Sequence, residues 1–354
     1  MPLLSRILSA RNSKNIERAA KILNQGGIVA FPTETVYGLG ANALEPKAVV
    51  KIFEIKKRPF FDPLIVHAAS AEQAFNLCRE IPDSARTLAD KFWPGPLTLV
   101  LPKKKIVPDL VTSGLSTVAV RVPAHPVALK LIRLANVPVA APSANRFGRT
   151  SPTTALHVWN DLGPSVGMIL DGGASVVGVE STVLKIEGRR AYVLRPGGVS
   201  CEMIRKTVPA LTVSLKYLPS RWLESPGLLK SHYAPGKPLF LIRGNFERWA
   251  QALETTSRIR VKKNKKWPKI GALTFGKSLP GVWAGAHENL SPKGSLREAA
   301  ANLFQAMRKL DKMKVDLIVA QSVPEAGVGL AVMDRLRKAS GGKNERDFRN
   351  AYSR

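Results

Sequence analysis

With 354 residues, 45% of them apolar, the chain exceeds the usual single-domain size and carries apolar side chains enough for two cores. No segment approaches the length of a membrane-spanning helix, so no membrane role is expected. Fifty-four basic against twenty-six acidic residues give a net charge of +28, a field that attracts nucleotides or RNA but equally describes a solvated basic surface.

Cys78 and Cys201 are too few and too far apart for a disulfide framework or a zinc ribbon. The five histidines never fall four apart, which removes the zincin arrangement. A reduced, cytoplasmic protein is expected. The first ten residues lack a sustained apolar region with a cleavage site, so a secretory signal is not expected, and a mitochondrial presequence stays open.

In chain order, Ile16, Ala19, Ala20 and Leu23 share one helical face, and Gly26-Gly27 stops that helix. Ile28 to Phe31 reads as a strand delivering the cluster Thr33-Glu34-Thr35-Val36-Tyr37-Gly38-Leu39-Gly40. Pro46 opens a second helix that ends in Lys56-Lys57-Arg58-Pro59, where cations suit the helix dipole. Further strands are expected at 63–68, 97–101, 118–122, 137–141 and 183–186. From Leu211 to Pro238 the rhythm breaks into turns, with Ser225-Pro226-Gly227 and Ala234-Pro235-Gly236. Beyond it, strands at 239–242, 270–275 and 315–320 alternate with helices at 246–253, 295–310 and 329–337, a pattern for a small parallel sheet.

Gly271 to Ser278 satisfies the Walker A spelling, but its apolar strand lies between the glycines and Pro280 follows closely. A phosphate loop needs the strand before it and a helix after it, so the match is read as coincidence.

The polar clusters at strand exits carry the chemistry. Lys56 and Arg58 suit triphosphate oxygens, although helix-end surface charge is the plain alternative. Ser143 and Asn145 follow an apolar run, where they reach a phosphate or simply form a turn. Ser181-Thr182 and Arg195 repeat this logic at two later strands, and His67 stands at a strand end.

Together, Thr33 to Gly40, Lys56-Lys57-Arg58 and Ser143-Ala144-Asn145 resemble the threonylcarbamoyl-AMP synthase family, the YrdC-like enzymes, in the long two-domain form. The resemblance implies an α/β protein. Residues 1–208 form a YrdC-like domain with a twisted mixed sheet, helices and a concave substrate groove. Residues 209–237 form a linker folding over the active site, and 238–354 a smaller Rossmann-like parallel domain.

It also implies synthesis of L-threonylcarbamoyl-AMP from L-threonine, bicarbonate and ATP, with Mg2+ carried on the ATP phosphates. The product would pass to tRNA threonylcarbamoyl transferase machinery, which modifies the adenosine beside the anticodon. By position, Thr35, His67, Arg121, the Ala141 backbone and Ser181 would hold threonine. Lys56, Arg58, Asp62, Thr117, Ser143, Asn145, Ser151 and Arg195 would surround ATP, with Lys56 and Arg58 catalytic and Tyr233 reaching the nucleotide from the linker. No protein-held metal is expected.

Two positions depart from the pattern: Asp62 replaces the usual asparagine, and Lys185 stands where an aspartate commonly follows. The alternative class is a non-catalytic RNA-binding protein using the basic groove, with incidental RNA affinity as its weaker form. A carbamoyl transferase of hydrogenase maturation would carry paired CxxC motifs, which two isolated cysteines do not supply.

Overall fold

The computed structural model describes residues 6–215, 232–262, 267–277 and 286–352. The expected turn at Ser225-Pro226-Gly227, the residue Ser231, and Lys263, Lys265, Lys266 and Ser278 of the basic run and Walker-like spelling lie outside these residues. The chain divides into two compact units, Met1–Phe147 with Ser151–Leu228, and Gly148–Thr150 with Leu229–Arg354.

The first unit begins β1 (Ile7–Ser9), α1 (Ser13–Asn24), β2 (Val29–Phe31), β3 (Gly38–Asn42) and α2 (Pro46–Lys56). It continues β4 (Ile65–His67), α3 (Ala71–Phe75), α4 (Asp83–Phe92), β5 (Leu97–Pro102), α5 (Asp109–Thr112) and β6 (Thr117–Arg121). After α6 (Pro126–Ala135) and β7 (Val139–Ala140) come α7 (Ala155–Leu162), β8 (Met168–Asp171), β9 (Thr182–Glu187), β10 (Arg190–Arg195), α8 (Cys201–Thr207) and β11 (Thr212–Leu215).

These strands form one mixed sheet in the order β1-β8-β2-β3-β7-β4-β6-β5-β9-β10-β11. The expected strands are present, and β1, β3, β8, β10 and β11 join them. β11 lies within the stretch expected as linker and pairs in parallel with β10.

α1 shows why the apolar spacing forms a helix. Asn12 caps it by accepting from the Lys14 amide, and Ile16, Ala19, Ala20 and Leu23 pack inward. They meet Val29 and Phe31 of β2, Leu131 and Ile132 of α6, and Met168 and Leu170 of β8. Gly26 ends the helix at φ 71°, and a Cβ on Gly27 would stand 2.5 Å from Ile22. α2 starts on Pro46 and buries Val49, Ile52 and Phe53.

The second unit runs β12 (Leu239–Ile242), α9 (Phe246–Lys262), β13 (Ile270–Thr274), β14 (His287–Asn289), α10 (Leu296–Lys312), β15 (Leu317–Gln321), α11 (Gly329–Ser340) and α12 (Glu345–Tyr352). Its four strands are all parallel, in the order β12-β15-β13-β14. β13 passes through the residues between Gly271 and Gly276, as the Walker-like spelling required of a coincidence. Phe240, Trp249, Leu317 and Phe348 share its core. Among the described residues no helix is long and apolar enough to cross a membrane.

Candidate active site

The spacing of Lys56 and Arg58 becomes physical at the end of α2. Two residues apart on a helix would face roughly opposite ways. Here Lys57 takes the left-handed conformation, φ 52°, and the Arg58 amide returns to the Phe53 carbonyl at 2.9 Å. Lys57 is thereby exposed while Lys56 and Arg58 turn inward, 1% and 6% exposed. Lys56 Nζ donates to the carbonyls of Ser143 and Asn145 at 2.5 and 2.6 Å, tying α2 to the turn that follows β7. Burial, then the Arg58 charge, holds the Lys56 pKa well below the usual lysine range, against the opposing pull of Asp62, Asp161 and Glu180.

Arg58 donates from Nε to the Asp62 carbonyl at 3.0 Å and from Nη2 to the Pro63 carbonyl at 2.9 Å. Asp62 Oδ2 also lies 2.9 Å from Nη2, an ion pair without the alignment of a hydrogen bond. Burial raises the Asp62 pKa, while Arg58, Lys56 and Arg195 draw it down. The Phe147 ring lies 5.8 Å from the guanidinium carbon of Arg58.

A second cluster forms where β4 and β6 end. Their parallel register sets His67 opposite Arg121. Arg121 donates to Glu34 Oε1 at 2.6 Å, to Thr35 Oγ1 at 3.0 Å and to the Gly95 carbonyl at 3.1 Å. Thr35 Oγ1 also meets Thr33 Oγ1 at 2.8 Å. Burial, then the Arg121 charge, pushes the His67 pKa down to about 3, so the imidazole is neutral at physiological pH. Its buried Nδ1 has no hydrogen-bond partner among the described residues, and neither has Glu34 Oε2. The Ala141 amide donates to the Ile65 carbonyl at 2.9 Å.

The third cluster joins β9 and β10. Arg195 donates to the Ser181 carbonyl from Nε and Nη2 at 3.2 and 3.0 Å, and to Ser181 Oγ at 3.2 Å. Ser181 Oγ also meets Thr98 Oγ1 at 2.7 Å. Ser151 donates to Glu180 Oε1 at 2.5 Å. The close approach behind this cluster requires Gly197: a Cβ there would lie 2.3 Å from the Glu180 carbonyl oxygen. The Arg195 charge acts on both Asp62 and His67, so the three clusters share one electrostatic environment.

Most of the expected residues therefore gather within the first unit. Thr117 opens β6, at the opposite end of that strand from Arg121, roughly 13 Å along it. Tyr233 belongs to the second unit, where its buried ring packs 5.7 Å from Phe304 and 5.0 Å from the Arg335 guanidinium. Sequence reasoning omitted Glu34, Thr98 and Glu180 from the site. Glu34 stood inside the Thr33-Glu34-Thr35 cluster and Glu180 next to Ser181, which was the available signal. Among the described residues no three His, Cys, Asp or Glu side chains form a group able to hold a metal.

Two family models match most of the chain. The Sua5/YciO/YrdC family model, described as telomere recombination, matches residues 21–197. A model described as the threonylcarbamoyl-AMP synthase C-terminal domain matches 199–341. The chain is similar to the threonylcarbamoyl-AMP synthase of Pyrococcus abyssi, 45% identical over 92% of this chain and 94% of the relative. The Bacillus subtilis protein of that name is 44% identical over 94% of each. A crystal structure of P. abyssi Sua5 with L-threonine superposes with a TM-score of 0.84 at 44% identity, covering 93% of this chain and 95% of that one. A P. abyssi Sua5 variant with a histidine–tyrosine pair replaced by alanines superposes with a TM-score of 0.86 at 42% identity, covering 96% and 97%.

Proposed function

The chain belongs to the threonylcarbamoyl-AMP synthase family, in the form that carries both matched domains, and from that premise we propose that it makes L-threonylcarbamoyl-AMP from L-threonine, bicarbonate and ATP. The observation that carries the reading is the presence in one unit of two different buried clusters, with the Arg195 charge acting on Asp62 of one and His67 of the other. The buried cations Lys56 and Arg58 suit phosphate, and the Arg121–His67 pair with Thr35 and Ser181 suits a small amino acid.

Arg121 meets the threonine carboxylate, keeping Glu34 as its internal counter-charge. The neutral His67 is too weakly basic to hold the proton of the threonine ammonium, so its Nδ1 serves as a hydrogen-bond acceptor. Ser181 and the Ala141 carbonyl complete the amino-acid cradle. Lys56, Arg58, Ser143, Asn145, Ser151 and Arg195 take the ATP side, with Asp62 and Thr117 at its edge. Mg2+ travels on the ATP phosphates.

In the reaction, the unprotonated threonine nitrogen attacks the carbon of bicarbonate or CO2; with bicarbonate, one oxygen leaves as water. The resulting carbamate oxygen attacks the α-phosphorus, the bond to the β-phosphate bridging oxygen breaks, and pyrophosphate leaves. Such a displacement needs alignment and charge neutralisation more than a strong base, which is what two buried cations supply. The product would feed the threonylcarbamoyl modification of tRNA through a separate transferase, in the cytoplasm.

Pyrophosphate release from ATP, with and without L-threonine and bicarbonate and with the product weighed by mass spectrometry, tests the reading. Release that needs both is expected. Intact ATP in every mixture, from a folded protein, overturns it.

A further inference from the structure

The second unit holds a cavity of about 710 Å³ that the proposed synthesis does not use. Five cations line it: Arg243 at the exit of β12, Arg337 in the last turn of α11, and Lys343, Arg346 and Arg349 from the following turn and α12. Its one lining carboxylate, Glu345, pairs with Arg349 at 2.6 Å. Arg337 is paired with Glu325. Arg243, Lys343 and Arg346 form no ion pair among the described residues, so the cavity keeps a concentrated positive charge. Part of this charge suits the α11 C-terminus, where Arg337 offsets the helix dipole. That account does not reach Arg243 or Arg346, which lie on other elements.

The cations stand on a rigid frame. The Leu241 amide donates to the Lys343 carbonyl at 3.0 Å, and Leu241 bridges Asn344 in parallel, so the turn continues the β12 edge. α12 is pinned by Phe348, fully buried and 5.5 Å from both Phe240 and Trp249. Its first turn is capped internally, with Asp347 Oδ2 accepting from the Asn344 amide and Asn344 Oδ1 from the Arg346 amide. The guanidinium groups, rather than helix amides, are therefore what the cavity offers. Planar forks spaced around a concavity match the paired oxygens of phosphates. The volume falls within the range of sites that accept a ligand of nucleotide size.

We infer that this cavity is a phosphate-recognising site, filled by the backbone of an RNA or by a free nucleotide, through Arg243, Lys343 and Arg346. The test uses the full chain and a double variant, Arg243→Glu with Arg346→Glu, beside a charge-matched control, Lys14→Glu with Lys21→Glu, on the exposed face of α1. A labelled RNA hairpin is titrated by fluorescence anisotropy over a salt series, and ATP stoichiometry is counted by equilibrium dialysis. For RNA, the double variant weakens binding and lowers the salt slope by about two, one per lost phosphate contact, while the control keeps the wild-type slope.

For a free nucleotide, the wild type binds a second ATP per chain that the double variant loses. RNA and ATP binding unchanged in the double variant, or an equal RNA loss in the control together with no second ATP bound by the wild type, overturns the inference. Unaltered pyrophosphate release in the double variant shows that the fold is intact, and an Arg243→Lys, Arg346→Lys version that restores binding excludes a packing effect.

Discussion

Arg58 and Asp62 form a buried ion pair, Oδ2 standing 2.9 Å from Nη2 with the two side chains 3% and 2% exposed. The carboxylate offsets part of the charge that a triphosphate would meet, and its desolvation raises its own pKa. Arg58 is held independently by the carbonyls of Asp62 and Pro63. Asp62→Asn should therefore leave Arg58 in place and free its charge. The expected result is a KM for ATP lower by a few-fold, up to about tenfold, the equivalent of roughly 1.4 kcal/mol. Pyrophosphate release titrated with ATP measures it, and an unchanged or higher KM would show that Asp62 itself contacts the nucleotide or its metal.

Glu34 should act on threonine through Arg121. Removing one partner of a buried ion pair strands the other charge, so Glu34→Ala is expected to lose about 3–5 kcal/mol of stability by urea unfolding. Glu34→Gln keeps an acceptor for the guanidinium and should lose less. In that variant the KM for threonine is expected to rise roughly tenfold while the KM for ATP holds. Equal effects on both substrates would mean that Glu34 supports the fold and not the amino-acid cradle.

The sequence revealed what is local. Apolar spacing located α1, α2 and α10, and Pro46 and Gly26 marked helix ends because φ is fixed by one and freed by the other. The Lys-x-Arg spacing was legible as a pair of cations, yet its inward geometry depends on a left-handed Lys57 that no propensity would select. β1 and β8 were hidden because each is short and pairs across the chain, Ile7 with Ile169. Glu34 read as one polar residue in a cluster because its partner, Arg121, is 87 residues away. α12 was missed because its apolar anchor is essentially Phe348, too little for a periodicity.

Lys56 should prove a positioning cation as well as a phosphate ligand. Two of its donors are used on the carbonyls of Ser143 and Asn145. Lys56→Met removes the cost of burying an ammonium but leaves two carbonyls unpaired, at about 1–3 kcal/mol each, so the net stability change is expected to be small. Turnover should nevertheless fall at least about a hundredfold, as expected for losing a preorganised cation at the transferring phosphate. Lys56→Arg should not rescue it, because a fork does not fit a site that is 1% exposed and shaped for a point charge. Normal kcat in either variant would remove Lys56 from the chemistry.

His67 should make the protein sensitive to acid. Its pKa is pushed from 6.5 to about 3 by burial and by Arg121, so the native state stays neutral while the unfolded chain takes up a proton below about pH 6.5. The unfolded state then binds more protons, and stability falls as pH drops, by up to about 1.4 kcal/mol per unit until the native pKa is reached. Above pH 6.5 both states are neutral and the effect vanishes. The comparison is between wild type and His67→Gln, whose side chain does not titrate. Between about pH 7.5 and pH 5 the wild type should lose roughly 1–2 kcal/mol more than the variant in urea unfolding. Parallel curves across that range would mean that His67 keeps an ordinary pKa, and its role as a neutral acceptor for threonine would fall with it.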